Sequence, residues 1–328
     1  MISSESAGDE VGDEKKMEYL MAVPKTQFKD YQTKRGNFKL KIDFAGYFED
    51  EEFNVKHQKE FNQFEYDEWE KLVRKPSFTI LIEAQTAEES HLDASSNLAK
   101  HILEIYLYDL YLTMNISFPG ILDLSNVKYF CEGFEETSSI DLDTHFLNYC
   151  RMDLEKMGLP VFQEIPFQLS DIWLGKLAIG VKQIAESRLE QALFSFLNFS
   201  SSHQLAPVEI MWLVNCIETL YKTRIGENFT SSLNRITSFL QIKGENFTVF
   251  KKKLRDFYDF RSAFVHGGYS VPHPANNDLF DENYDQNSID IQNRLLFGLG
   301  IVMCTFQRMV TTGIREIEFV EIGNHLPI

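Results

Sequence analysis

The segment KKKLRDFYDFRSAFVHGGYSVPHP, residues 251–274, decides how the second half of this chain is interpreted. Apolar residues recur in it at the spacing of one helix face, namely Leu254, Phe257, Tyr258, Phe264 and Val265, and the glycines Gly267 and Gly268 follow. Glycine readily adopts the left-handed conformation in which helices end, so the pattern predicts an amphipathic helix that stops at these glycines. The core predicted where this helix meets its neighbour consists of Leu213, Ile217, Leu220, Leu254, Phe257 and Val265.

Two residues in the last turns of the predicted helix, Arg261 and His266, have side chains that can take part in catalysis. They lie about 140° apart around the axis, so they are not stacked neighbours, although an arginine side chain is long enough to bend toward the imidazole. An imidazole moves protons, and a guanidinium stabilises developing negative charge. The pair is therefore a candidate site for chemistry on a phosphodiester.

A structural explanation of the same residues stays open. Arginines in ion pairs are commoner than catalytic arginines, and the carboxylates predicted to lie near Arg261 are Asp256, Asp259 and Glu218. His266 would then cap the last carbonyls of the helix. The basic residues Lys251, Lys252, Lys253 and Arg255 precede Arg261 in the helix. Such a run usually forms a solvated face. Because it adjoins the candidate site here, contact with an RNA backbone is the alternative to a solvated face.

The rest of the chain divides into two parts at about residue 160. The N-terminal part has the alternating strand pattern FKLKIDF (residues 38–44), the apolar run FTILI (78–82), a helical pattern from about Asp93 to Met114, and a short apolar piece at 127–130. Helical periodicity takes over afterwards, at 171–199, 207–222, 229–242, 247–266 and 286–312. We predict a disordered acidic tail at 1–16, an α+β domain at 17–160 and an all-α helical bundle at 161–328.

The charge is distributed unevenly between these parts. The chain has a formal net charge of −17, from 32 Lys+Arg and 49 Asp+Glu. Residues 160–328 hold 15 Lys+Arg and 18 Asp+Glu, a net of −3, whereas the first 159 residues carry the remaining −14. Affinity for phosphate comes from lysine and arginine, so any nucleic-acid chemistry is expected in the helical part.

The stretch DFYDFRSAFVHGG, residues 256–268, closely resembles the motif-bearing helix of HEPN domains, in particular the ApeA-like branch. In that branch an Arg-Ser and a Val-His-Gly occur in this arrangement. Upstream, WLVNCIETLY, residues 212–221, is similar to the preceding helix of the branch, including an acidic residue in an Ile-Glu-x-Leu setting. The resemblance covers about residues 165–320 and favours the functional explanation over the structural one.

The resemblance implies an HEPN-type bundle of four to five helices and a metal-independent endoribonuclease, in which the ribose 2′-OH attacks the adjacent phosphate. His266 would be the general acid/base, Arg261 would stabilise the charged transition state, and Glu218 would orient one of them. In many active HEPN nucleases the residue after the arginine is Asn, Asp or His, and here it is Ser262. The candidate RNA-binding residues are Lys251, Lys252, Lys253, Arg255 and Ser262.

HEPN domains usually act as dimers, so a homodimer with a composite cleft is expected. The leading interpretation is a cytoplasmic defence or toxin ribonuclease that acts on RNA. In this interpretation the HEPN-like domain at 161–328 carries the chemistry, and the α+β domain at 17–160 senses a trigger or selects the substrate. A second is a non-catalytic HEPN module that dimerises or binds RNA or a partner protein. A third is the toxin half of an antitoxin-regulated pair, modified by a partner enzyme. The expected partners besides RNA and a second copy are a regulatory protein or an antitoxin.

No other motif in the sequence indicates a catalytic or cofactor-binding site. The sequence has no Walker-type, GxSxG or HExxH motif and no convincing metal spacing, so we predict neither a metal nor a cofactor. Its cysteines are too few for a disulfide framework, and we expect Cys216 and Cys304 to be buried thiols. The apolar stretch from Leu295 to Val310 is shorter than a membrane span and predicts a buried core helix rather than a membrane segment.

Overall fold

The computed structural model describes residues 23–24, 26–33, 36–43, 79–85, 92–125, 127–129, 138–177, 181–202, 205–223, 229–273 and 283–319. These ranges contain eight α-helices and five short strands, so the described part of the chain is mostly helical. The predicted acidic tail at 1–16 lies outside the described residues.

Three strands form an antiparallel sheet in the order β1 (Thr26–Thr33), β2 (Gly36–Asp43) and β3 (Thr79–Gln85). The alternation predicted for β2 is confirmed, because Leu40 and Ile42 are buried while Lys39 and Lys41 are exposed. The sequence pattern did not predict β1. In this strand the polar Gln27 is buried and the apolar Phe28 is 73% exposed. The usual pattern, with apolar residues buried and polar residues exposed, is therefore reversed at these two positions. Two shorter strands, β4 (Val127–Tyr129) and β5 (Ser138–Ile140), pair with each other.

The described helices are, in chain order, α1 (Leu92–Ser117), α2 (His145–Asp153), α3 (Phe167–Gly175), α4 (Arg188–Ser200), α5 (Pro207–Leu220), α6 (Phe229–Leu240), α7 (Glu245–Val265) and α8 (Asn283–Thr312). The single helix predicted at 171–199 is wrong, because α3 ends at Gly175 and a new helix starts after Ser187. Ser187 and Glu190 form a reciprocal capping box, a start signal that the periodicity analysis overlooked.

The chain divides into two compact units, one within residues 1–107 and 127–140 and the other within 108–126 and 141–328. The second unit contains the helices from α2 to α8. The domain boundary predicted at residue 160 refers to domains that fold independently. A division by contacts does not test independent folding, so this boundary stays a prediction.

Helix α8 is the core of the helical unit. It packs against α2, α3, α5, α6 and α7. From Leu295 to Val310 its apolar residues are almost fully buried, as in Leu295, Phe297 and Phe306, which confirms the predicted core helix. Among the described residues one helical stretch, Gln286–Thr312, is long and apolar enough to cross a membrane, but 83% of its most apolar window is buried inside the protein. Such burial is typical of a core helix, so the stretch is only a weak indication of a membrane span.

The predicted contact between α5 and α7 is confirmed at five of six positions. Leu213, Ile217, Leu220, Leu254 and Phe257 are all at most 4% exposed. Val265 is the exception, because it is the last residue of α7 and is 55% exposed. The predicted helix phase is therefore correct, but the packing ends before the helix does.

Close packing at Gly298 gives a stability prediction. A Cβ atom there would lie 2.7 Å from the Phe257 ring and 3.3 Å from Leu213 Cβ, and both side chains are fully buried. We expect Gly298→Ala to lower the free energy of unfolding by about 1–3 kcal/mol, because overpacking outweighs the better helix propensity of alanine. Urea unfolding measures this change. Gly175→Ala is the matched control, since no heavy atom lies within 4 Å of its Cβ position. Equal stabilities of the two variants would contradict the packing argument.

Candidate functional site

The end of α7 fixes the position of His266. This residue is the C-cap, and its backbone N–H donates to the Ser262 carbonyl at 3.0 Å. Gly267 follows with a φ of +76°, and the N–H of Gly268 donates to the Ala263 carbonyl at 2.7 Å. This arrangement is the glycine-terminated helix end that the sequence predicts. His266 is therefore held at the exposed end of the helix.

Aromatic rings hold the chain after the glycines against α7. The Tyr269 ring lies 5.1 Å from the Phe260 ring and 5.9 Å from the Phe264 ring, measured between centroids. The Arg294 guanidinium lies 5.0 Å from the Phe260 ring centroid and also makes a bidentate ion pair with Asp256, with both N–O distances at 2.9 Å. This cluster stabilises the end of α7 from the side of α8.

Arg261 and Glu218 come together between α7 and α5. The distance from Arg261 Nη2 to Glu218 Oε1 is 3.7 Å, and each side chain is about one third exposed. At this distance the two groups form an ion pair but not a hydrogen bond, so the contact is loose. Of the three carboxylates predicted to lie near Arg261, Glu218 forms the ion pair with it, whereas Asp256 pairs with Arg294.

The environment of Glu218 favours its protonated form. Partial burial raises the pKa of the Glu218 carboxyl above its ordinary value, and the nearby Arg261 guanidinium opposes this effect without cancelling it. The carboxyl is thus a proton acceptor of unusual strength for a glutamate. It is also close enough to a guanidinium to control where that group points.

His266 does not join this pair within one chain. Its side chain is exposed, and no hydrogen bond or ion pair connects the imidazole to another residue that the structure describes. The separation of about 140° around α7 accounts for this, because Arg261 points toward α5. Of the predicted site residues, two are brought together and His266 is left facing solvent.

The candidate RNA-binding residues lie along the exposed part of α7. Lys251, Lys252 and Ser262 are exposed, and Lys253 is half-buried. The Arg255 guanidinium lies 4.6 Å from the Phe229 ring centroid, so α6 orients it.

Helical spacing places several of these residues on the same face of α7 as His266. At 100° per residue, Lys251, Arg255, Ser262 and His266 fall within about 60° of one another around the axis. All four are exposed, so a cationic stripe leads to His266. The exposed Asp259 shares this face and reduces its positive charge.

One residue of the site was missed by the sequence analysis, which assigned Tyr258 only to the apolar stripe. Its ring packs edge-on against Phe229 and Phe257, but its hydroxyl oxygen is buried and has no hydrogen-bond partner among the described residues. Burial raises the pKa of Tyr258 to about 12, and the Glu218 carboxylate contributes to this increase. The signal in the sequence is a tyrosine one helical turn before Arg261.

The cysteines and the acidic residues offer no second site in the described part of the chain. Cys150, Cys216 and Cys304 are free and buried, which confirms the prediction for the last two. Burial raises the pKa of all three thiols, so they are poor nucleophiles. Within the same described ranges, no group of three or more His, Cys, Asp or Glu residues is arranged to hold a metal ion.

Comparisons with known proteins give no assignment: no family model, no curated protein and no solved structure matches this chain. The resemblance to HEPN domains therefore remains a prediction that rests on residues 212–221 and 256–268.

The raised pKa of Glu218 predicts how stability depends on pH. A carboxyl whose pKa is higher in the folded than in the unfolded state binds its proton more readily in the folded state. Ionisation of this carboxyl therefore lowers the free energy of unfolding. We expect Glu218→Gln to gain stability relative to the wild type as the pH rises from about 4 to about 7. Urea unfolding across this range is the measurement.

Glu190→Gln is a control with the opposite sign. Burial alone would raise the pKa of Glu190, but hydrogen bonds from the backbone N–H groups of Glu186 and Ser187 and from Lys182 lower it overall. Its contribution to stability is present at neutral pH and is lost on acidification. This variant should therefore lose stability relative to the wild type over the same rise in pH. Parallel curves for the two variants would refute the assignment of opposite pKa shifts.

Proposed function

We propose that this protein is a metal-independent endoribonuclease of the HEPN type, which cleaves RNA by attack of the ribose 2′-OH on the adjacent phosphate. The observation that carries the proposal is the ion pair between Arg261 and Glu218, 3.7 Å apart on adjacent helices, on a helix that ends at the exposed His266. These are the three residues that the resemblance assigns to the chemistry.

Each residue has a distinct role in this mechanism. Transesterification needs a proton acceptor for the 2′-OH, a donor for the leaving oxygen and a stabiliser of the charge on phosphorus. His266 is exposed and serves the proton transfers. Arg261 binds the phosphate oxygens, because its planar guanidinium makes two parallel hydrogen bonds. Glu218 orients Arg261 through the loose ion pair.

RNA is the proposed substrate because the exposed stripe on α7 is cationic. Lys251 and Arg255 lie on the same face as His266, where they would contact backbone phosphates ahead of the scissile bond. Lys252, Lys253 and Ser262 are proposed as further contacts to the same strand. The overall acidity of the chain favours a local groove over general coating of nucleic acid.

We also propose a homodimer in which two copies build a composite cleft. The apolar run of α8 from Leu295 to Val310 does not supply the interface, because it is buried within its own chain. The reason for the dimer is that Arg261 and His266 point in different directions, so a second copy is needed to complete each site. Light scattering should report twice the chain mass at micromolar concentration, and a fully active monomer would exclude the composite site.

The biological role proposed is that of a cytoplasmic defence or toxin ribonuclease, controlled by its N-terminal part or by an antitoxin or other regulatory protein. This role comes from the resemblance alone.

A non-catalytic HEPN module that dimerises or binds RNA or a partner protein is the second candidate. It is favoured by the absence of any contact between His266 and Arg261 in the described chain, together with the pairing of Arg261 to Glu218.

Cleavage assays with the full chain separate the two candidates. A nuclease of the proposed type cleaves RNA but not DNA of the same sequence, retains its activity in EDTA and leaves 2′,3′-cyclic phosphate ends. The DNA oligonucleotide is the matched control, because it lacks only the attacking hydroxyl. RNA binding without cleavage would favour the non-catalytic module, and activity lost with the chelator would exclude this mechanism.

A further inference from the structure

The Tyr258 hydroxyl is a buried donor without an acceptor. Its oxygen is inaccessible to solvent, and no described residue lies within hydrogen-bonding distance and geometry. The hydroxyls of Thr223 and Ser232 face the phenol closely enough to lower its pKa, yet neither completes a hydrogen bond. Leaving a buried hydroxyl unpaired destabilises a fold. Such a group therefore points to an acceptor that arrives in another state of the site.

The groups around this hydroxyl are those of the proposed site. Tyr258 precedes Arg261 by one helical turn on α7, so the two side chains lie on neighbouring parts of one helix face. The Glu218 carboxylate on α5 raises the pKa of the phenol, and the Arg261 guanidinium lowers it, so both charges act on the same hydroxyl. Two other cations of the helical unit have partners of their own: Arg235 donates to backbone carbonyls, and Lys222 pairs with Glu316.

We propose that Tyr258 is a positioning residue that receives Glu218 when Arg261 turns to a phosphate group of the substrate. In the free protein, Glu218 pairs with Arg261 at 3.7 Å, and the phenol has no acceptor. When the guanidinium binds a phosphate, the carboxylate loses its cation, and the Tyr258 hydroxyl becomes its donor. This inference rests on the proposed function, because it assigns a phosphodiester as the group that displaces Glu218.

The exchange is favourable because, once it is complete, the phenol, the carboxylate and the guanidinium all have partners. The partly buried Glu218 carboxylate would otherwise lose the Arg261 guanidinium, the positive charge that opposes the effect of its burial. A phenol is a good donor to a carboxylate, and hydrogen bonds to charged groups are the stronger ones. The loose ion pair is thus suited to release the arginine, which a tight bidentate pair such as Arg294–Asp256 is not.

The first test compares the melting temperatures of two Tyr→Phe variants of the full chain. Tyr258→Phe removes a hydroxyl that has no partner in the free protein, so its Tm should equal or exceed that of the wild type. Tyr221→Phe is the matched control, because the buried Tyr221 hydroxyl lies 2.7 Å from Thr305 Oγ1. Its Tm should fall by about 2–4 °C. A similar fall for Tyr258→Phe would show that its hydroxyl is already bonded and would overturn the proposal.

The second test measures the exchange without RNA. The pKa of Glu218 is followed by NMR of 13C-labelled glutamate in the wild type, in Tyr258→Phe, in Arg261→Met and in the double variant. Arg261→Met imitates release of the guanidinium while keeping the apolar stem. In that background Tyr258→Phe should raise the pKa of Glu218 by about one pH unit, and with Arg261 present it should have little effect. The same change in both backgrounds, or none in either, would disprove the exchange.

The third test adds RNA cleavage. Tyr258→Phe should lower kcat/KM by about tenfold, because the arginine is released less readily. A wild-type rate in this variant would also overturn the role. If the wild type itself cleaves no RNA, the proposed function fails, and the NMR cycle still decides whether Tyr258 receives Glu218.

Discussion

His266→Ala is expected to slow RNA cleavage by about 10²–10⁴-fold, which is the usual contribution of a positioned general acid or base. The side chain is exposed at the end of α7 and has no partner among the described residues, so its removal should leave the stability unchanged. Initial rates on a short RNA, measured with EDTA present, give the effect. Thermal unfolding of the same samples verifies that the variant is folded.

His273→Ala is the control for this substitution. His273 is also exposed and follows His266 by less than ten residues, but the proposed mechanism gives it no role. The control should cleave RNA at the wild-type rate. If His266→Ala also retains that rate, the chemistry lies elsewhere in the chain.

Arg261→Ala is expected to cost about 10²–10³-fold in kcat, by analogy with the loss of a preorganised donor at a developing negative charge. Arg261→Lys should restore little of this rate. A lysine supplies a point charge but not the two parallel N–H groups that bind two phosphate oxygens. Single-turnover cleavage by the two variants is the measurement, and a lysine variant close to the wild type would limit the role of Arg261 to charge alone.

Arg151→Ala controls for the loss of a positive charge from the helical unit. Arg151 lies on α2 with its guanidinium 4.3 Å from the Phe118 ring centroid, outside the proposed site. Its removal should leave kcat unchanged. Glu218→Gln should cost less than His266→Ala, because Glu218 only orients Arg261 in the proposed mechanism.

The sequence alone determined much of the helical unit. The 3.6-residue period placed Leu254 and Phe257 in the core, and the glycine pair fixed the end of α7, because periodicity and helix capping are local properties. These predictions needed no knowledge of which helices are neighbours.

Only the tertiary structure decided which groups meet. Several carboxylates were equivalent partners for Arg261 in the sequence, and the choice of Glu218 depends on the packing of α7 against α5 while Asp256 faces Arg294 on α8. The exposure of Val265 and the unpaired hydroxyl of Tyr258 have the same origin. A helical period gives the direction of a side chain but not how far the neighbouring helix extends or what atoms it presents. Those depend on contacts between residues far apart in the chain, which no local pattern specifies.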